Sequence, residues 1–218
     1  MTERRTPMDW QAWHREYDDP DSSVSQRLAE VRSRLTAELV ARPGPVRLLS
    51  LCSGDARDTI PVVAEAGRPV AACLVELDPD IAETARRAAA EAGVEIDVRT
   101  ADAGDPSTYA DVLPVDVLML VGVLGNVSDA DAEITVAAAA SMLRPGGTVI
   151  WTRSNRFRSP PAHGLADPAE WVRRLFEARG FETLAYVVPD QGYWRLGVSR
   201  LSAASDSPMP ERLFAFIR

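Results

Sequence analysis

A chain of 218 residues, 46% apolar and 26% charged, holds enough material for one packed domain with short appendages; it is not a mainly disordered chain. It carries 24 basic against 32 acidic residues, a net charge of −8, and every basic residue is arginine. The lack of lysine excludes a Walker-type phosphate loop, a pyridoxal Schiff base and a lysine nucleophile, and the acidic balance argues against a nucleic-acid partner.

Trp10, Trp13, His14 and Tyr17 recur at i, i+3, i+4 and i+7 and mark one face of a first helix. Residues 18–23 break it. Leu28, Val31, Leu35 and Leu39 then mark a second helical stretch, which Arg42-Pro43-Gly44-Pro45 ends. From there strand and helix alternate. Residues 46–52 form a continuous apolar run of the buried-strand type. Residues 58–66 predict a helix stopped by Gly67, 70–77 a second strand, and 79–92 a helix stopped by Gly93. Strands are predicted over 95–100, 115–121 and 148–152, with a helix over 129–143 closed by Arg144-Pro145-Gly146-Gly147. Such alternation implies right-handed crossovers and an α/β fold, a parallel sheet with helices on both faces.

The last third differs. Residues 154–164 read as a loop rich in Pro, Arg and Ser; a helix runs from Asp167-Pro168 to Gly180. Residues 181–188 and 212–217 read as strands, 191–201 is ambiguous, and strands that follow without a helix between them are expected to be antiparallel. Cys52 and Cys73 lie in apolar runs and read as reduced, buried thiols, too few for a metal site. The N-terminus has no apolar signal core, and the longest apolar run, 117–125, is far shorter than the ~20 residues of a membrane helix. A cytoplasmic chain with no membrane association is therefore expected.

In an open α/β sheet, ligands bind beyond the carboxyl ends of the strands, at the switch point beside strand one. Strand one ends in Ser50-Leu51-Cys52-Ser53-Gly54-Asp55-Ala56-Arg57-Asp58, whose small residues admit close backbone approach. A single glycine is too few for a pyrophosphate loop, and a plain strand-to-helix turn is the alternative. Glu76 follows Gly54 by 22 residues, the spacing of a carboxylate that accepts a ribose diol in nucleotide-binding sheets. Asp102, after strand three, is able to accept from an adenine amino group or to cap a helix. Past strand four, Gly122 and Gly125 suit backbone close to a ligand, and Asn126 either orients a substrate or caps the next helix. Arg153, Arg156 and Arg158 cluster past strand five, as a carboxylate or phosphate site or as a solvated loop. Acids at 129, 131 and 133 fit a helix start rather than a metal site.

The ordered segments LLSLCSGDARD, LVELDPDIAETAR, TADA, DVLMLVGVLGNVSD and LRPGGTVIWTR together resemble a class I S-adenosylmethionine-dependent methyltransferase over residues 46–155. The opening WQAWHREYDDPDSSVSQRL is also similar to a group of small actinobacterial methyltransferases. The resemblance implies a Rossmann-like, doubly wound, seven-stranded sheet, mostly parallel with an antiparallel C-terminal strand. It divides the chain into a helical cap over 1–42 and a methyltransferase domain over 43–218. It implies S-adenosyl-L-methionine as cofactor: methionine near Ser53, Gly54 and Asp55, ribose on Glu76, adenine between Leu77, Asp102 and Ala103, and Gly122 near the sulfonium. Cys52, Arg57 and Val121 complete those surroundings. Ser50 stands where the family has an acid, and Cys52 and Ala56 where it has outer glycines.

Methyl transfer from a sulfonium is an in-line displacement that asks mainly for alignment and desolvation of the nucleophile. A general base is needed only when the acceptor is protonated. His14 is the candidate for that work, or a plain helix-flank histidine; Tyr17 on the same face is expected to bond the cofactor carboxylate, Asn126 to orient a substrate and Arg153 to hold its carboxylate or phosphate. The partner expected is a small-molecule acceptor, with a homodimer as an allowed assembly. The Asn-Pro-Pro-aromatic motif of amino-base methylases is absent after strand four. The rival readings are a non-methylating enzyme such as a cyclase on the same fold, and a non-enzymatic regulatory protein that binds the cofactor.

Overall fold

The computed structural model describes residues 17, 19–154, 165, 167–203 and 208–217. Within these, helix α1 spans Ser23–Ala41, followed by β1 (Val46–Leu51), α2 (Ile60–Glu65), β2 (Val70–Glu76), α3 (Pro79–Glu91) and β3 (Asp97–Thr100). Then come β4 (Val115–Leu120), α4 (Asp129–Met142), β5 (Leu143–Ser154), α5 (Pro168–Ala178), β6 (Phe181–Val187) and β7 (Trp194–Leu201).

The seven strands form one sheet in the order β3-β2-β1-β4-β5-β7-β6. The first five pair in parallel, while β7 runs antiparallel to both β5 and β6. The strand order reverses between β1 and β4, so the switch point lies where the sequence places it. The apolar runs of β1 and β4 are continuous because both faces of the sheet are covered. Leu49, Leu51, Leu118 and Leu120 face a layer built on α4 and α5, including Val136, Val172 and Phe176. Leu48, Val117 and Met119 face the other layer, built on α1 to α3 with Val31, Leu35 and Leu39.

Helix starts follow local chemistry. Ser22, Asp78, Ser128 and Asp167 each cap a helix by accepting from an amide in its first turn, and Pro79 and Pro168 occupy first-turn positions that need no donor. Residues 144–147 bulge from β5: Val115 pairs with Leu143 and Val117 with Thr148.

The stretch 191–201, ambiguous in sequence but compatible with a third C-terminal strand, contains β7, inserted between β5 and β6. One expectation is corrected. Residues 212–217 do not form a strand; they make one isolated antiparallel bridge, Phe216 with Val127. Their amides serve scattered loop acceptors instead: Leu213 donates to the Gly104 carbonyl at 2.8 Å and Ile217 to the Asn126 carbonyl at 2.9 Å. Burial of Leu213 and Phe214 pins this segment across the loops after β3 and β4.

Candidate active site

The β1–α2 loop alternates in backbone handedness. Cys52, Gly54 and Ala56 have φ of 55°, 58° and 57°. Two L-residues thus hold the left-handed conformation that glycine adopts without cost, each at a strain of about 1–2 kcal/mol. The surroundings hold them there: the Ser53 amide donates to the Val75 carbonyl at 3.0 Å, and the Ala56 amide to the Ser53 carbonyl at 3.1 Å. The Ser53 hydroxyl is buried and has no hydrogen-bond partner among the described residues.

Glu76 closes this loop from the tip of β2. One carboxylate oxygen accepts from the Gly54 amide at 2.9 Å and the other from the Asp78 amide at 3.0 Å. A carboxylate has about four acceptor positions, so further donors can be taken by the same group. Beside it, Leu77 is 67% exposed, an apolar side chain held open at the strand tip. Cys52 packs against the core, and burial, with help from the charges of Glu76 and Asp102, pushes its thiol well above the usual range. Burial likewise pushes Cys73 up to about 12, so neither cysteine is a ready nucleophile.

Above the loop, Asp55 pairs with Arg57, whose guanidinium lies 4.3 Å from the Tyr17 ring centroid. The Tyr17 hydroxyl accepts from Arg27 Nη2 at 2.9 Å, and burial raises its pKa. Arg32 Nε donates to the Arg57 carbonyl at 2.9 Å, tying α1 to the loop. His14, His163, Arg156 and Arg158 lie outside the described residues.

The tips of β4 and β5 form the second half of the site. Gly122 takes φ of 78°, and its amide donates to Thr152 Oγ1 at 2.9 Å. Asn126 Nδ2 donates to the Gly122 carbonyl at 2.6 Å, while Ser128 caps α4. The helix-cap alternative for Asn126 is thereby removed. Arg153 lies within β5 rather than past it and is buried; its Nη2 donates to Asp129 Oδ1 at 2.8 Å. Gly122, Asn126, Thr152 and Arg153 line a cavity of about 70 Å³, joined by Arg27 from α1 and Trp194 from β7.

Residues 48–147 match the family described as methyltransferase domain. The match runs from β1 into β5, the part of the chain that carries the loop and strand tips described above. No curated protein sequence matches the chain. Among solved structures, a candidate exported protein of Bordetella parapertussis is 20% identical with a TM-score of 0.65, over 83% of this chain and 68% of that one. An O-methyltransferase family protein of Burkholderia thailandensis is 18% identical with a TM-score of 0.60, over 93% of this chain and 66% of that one. The [4+2]-cyclase SpnF is also 18% identical, with a TM-score of 0.62, over 85% and 86%. These likenesses establish the methyltransferase-like fold, not the reaction.

Asp102 is doubly engaged: Oδ1 accepts from the Gly104 amide at 2.8 Å and Oδ2 from Arg212 at 2.7 Å. Ala103 beside it is buried, its carbonyl accepting from the Tyr109 hydroxyl at 3.2 Å. Val121 is half-buried at the end of β4. Arg27, Trp194 and Arg212 were not singled out by sequence; Arg27 alone left a signal, standing four residues before Val31 on the buried stripe of α1.

Asp58 is buried behind the loop. Burial raises its pKa, opposed by a bond from Thr59 Oγ1 at 2.9 Å and by Arg27, and aided by Asp55. A carboxylate whose folded pKa exceeds its unfolded value, about 3.9, costs stability once pH rises through that window. Asp58→Asn is therefore expected to be more stable than the wild type at pH 7, with the difference shrinking as pH falls toward 3. Urea unfolding at stepped pH measures this; a difference that grows on acidification would refute it.

Proposed function

We propose that the domain binds S-adenosyl-L-methionine across the tips of β1, β2 and β3 and transfers its methyl group to a small molecule. The observation that carries this reading is the Glu76 carboxylate, held at the tip of β2 against the Gly54 amide with acceptor capacity remaining. The partnerless, buried Ser53 hydroxyl and the exposed Leu77 side chain fit a polar and a flat apolar group, respectively.

The cofactor supplies an electrophilic methyl carbon on a sulfonium, open to in-line displacement. The chain's own residues do the rest. Glu76 accepts the two ribose hydroxyl protons. Ser53, Gly54, Asp55 and Arg57 hold the amino-acid end, Cys52 and Val121 wall it, and Leu77, Asp102 and Ala103 flank the base. Gly122, with its positive φ, keeps backbone rather than side chain at the reacting centre. Asn126 and Arg153 orient the acceptor, and Tyr17, anchored by Arg27, covers the site from the N-terminal side of α1. Free Cys52 and Cys73 suit a reducing, cytoplasmic compartment.

Isothermal titration with S-adenosylhomocysteine tests the reading: one site per chain with micromolar affinity is expected. Incubation with S-adenosylmethionine and a metabolite extract should yield S-adenosylhomocysteine and a product one methylene heavier. Absence of binding would remove the proposal. A transformed product without S-adenosylhomocysteine would favour a non-methylating enzyme instead.

A further inference from the structure

We propose that Arg212 is a positioning residue for the base of the cofactor: it fixes the Asp102 carboxylate so that the spare acceptor positions of that group face the adenine amino group. This rests on the methyltransferase reading and adds a determinant of base recognition to it. The Ala101 amide donates to the Glu76 carbonyl at 2.9 Å, so Asp102 and Leu77 are the next residues at two neighbouring strand tips. An exposed apolar side chain and a carboxylate thus stand together beside the acid assigned to the ribose. The two oxygens of Asp102 are held by different parts of the chain. Oδ1 accepts from the Gly104 amide of its own loop at 2.8 Å, and Oδ2 from Arg212 Nη2 at 2.7 Å, from a residue 110 positions further on. Each oxygen keeps an acceptor position, and a charged acceptor of fixed direction suits an exocyclic amino donor.

Arg212 projects from a backbone that other contacts already fix. The next two residues, Leu213 and Phe214, are buried. The Leu213 amide donates to the Gly104 carbonyl at 2.8 Å, and its carbonyl accepts from Thr135 Oγ1 of α4 at 3.3 Å. Further along, the Ala215 amide donates to Asp131 Oδ2 at 3.3 Å and the Ile217 amide to the Asn126 carbonyl at 2.9 Å. The segment lies directly on the loop of Asp102: a Cβ added at Gly104 would meet the Phe214 carbonyl oxygen at 2.2 Å. The ion pair is a different kind of contact. The Arg212 side chain is 53% exposed and that of Asp102 42%, and exposed ion pairs add little net stability. Burial and backbone bonds hold the segment without it. What the pair supplies is orientation. The Gly104 amide alone engages one oxygen and leaves the carboxylate free to turn about that bond; a second donor on the other oxygen removes the freedom. Order established before binding is not lost on binding, so it favours the ligand that uses the carboxylate over one that does not.

Titration calorimetry on the full chain compares S-adenosylhomocysteine with S-inosylhomocysteine, which carries an oxygen acceptor where the adenosyl ligand has its amino donor. The wild type is expected to prefer the adenosyl ligand by about tenfold or more, because the inosyl oxygen would face the carboxylate without a hydrogen bond. Arg212→Met, similar in length and uncharged, should weaken the adenosyl ligand by about fivefold and the inosyl ligand by less than about twofold, so that the preference shrinks. Arg212→Lys, which keeps a donor for Asp102 Oδ2, should retain most of the preference. The Tm of Arg212→Met should stay within about 2 °C of the wild type, as befits an exposed pair. In an Asp102→Ala background, Arg212→Met should change the preference no further. The Arg212 variants alone decide the question if Asp102→Ala does not fold. No preference in the wild type, a preference unchanged in folded Arg212→Met, or an equal loss of both ligands overturns the positioning role while leaving the cofactor reading intact. Failure of the wild type to bind S-adenosylhomocysteine overturns both.

Discussion

Glu76→Ala is expected to weaken binding of S-adenosylhomocysteine by about 100-fold. A hydrogen bond to a charged group contributes about 1.5–3 kcal/mol, and a diol donates two of them. Loss of both, at the low end, gives about 3 kcal/mol, and each 1.4 kcal/mol is roughly tenfold in affinity. The same carboxylate also holds the Gly54 and Asp78 amides, so the variant loses loop order as well as the ribose contact. Glu76→Gln separates the two effects. It keeps one acceptor oxygen and a matching shape, and is expected to weaken binding by about tenfold. Titration calorimetry on both variants, with circular dichroism to confirm folding, checks the order. Unchanged affinity in a folded Glu76→Ala would show that the carboxylate organises the loop and nothing else.

The parts of this molecule that could be read in advance are those written in short stretches of chain. The apolar runs of β1 and β4 predict strands covered on both faces, and each is packed between two helical layers. The capping residues Asp78 and Asp167, each followed by proline, mark helix starts within a residue or two. The Gly54–Glu76 spacing is local to one strand-helix-strand unit, and the two residues meet at 2.9 Å. What escaped was set by partners far along the chain. Residues 212–217 have the apolar, aromatic composition of a strand, but the edge they meet is a set of loops, so the amides go to Gly104, Asn126 and Asp131. Trp194–Leu201 becomes a central strand only because β5 offers its free edge to it, and no local pattern says so. The cavity beside Gly122 draws Arg27, Arg153 and Trp194 from three distant elements. The replacement of two glycines by Cys52 and Ala56 was legible as a departure, whereas their retention of glycine-like φ was not, because it is imposed by the bonds that frame the loop.

Gly197→Ala is expected to cost about 3 kcal/mol of stability, the upper end for overpacking a core, and to lower Tm by roughly 6–12 °C at about 2–4 °C per kcal/mol. The indole of Trp151 lies across the glycine: an added Cβ would meet Trp151 Cε2 at 2.1 Å and Cζ2 at 2.2 Å. The two residues pair directly between β5 and β7. The ring cannot retreat, because it stacks on Phe176 at 5.7 Å, which is itself met edge-on by Phe181 at 5.1 Å. Trp151 Nε1 also donates to the buried Ser199 hydroxyl at 3.1 Å, a bond that any tilt would break. Trp151→Phe should therefore recover part of the loss in the Gly197→Ala background while being destabilising alone, giving a coupling of about 1 kcal/mol or more in a double-mutant cycle. Additive losses would show that ring and glycine do not compete for the same space. Because Thr152 and Arg153 follow Trp151 on β5, displacement of the indole is also expected to move the floor of the cavity beside Gly122.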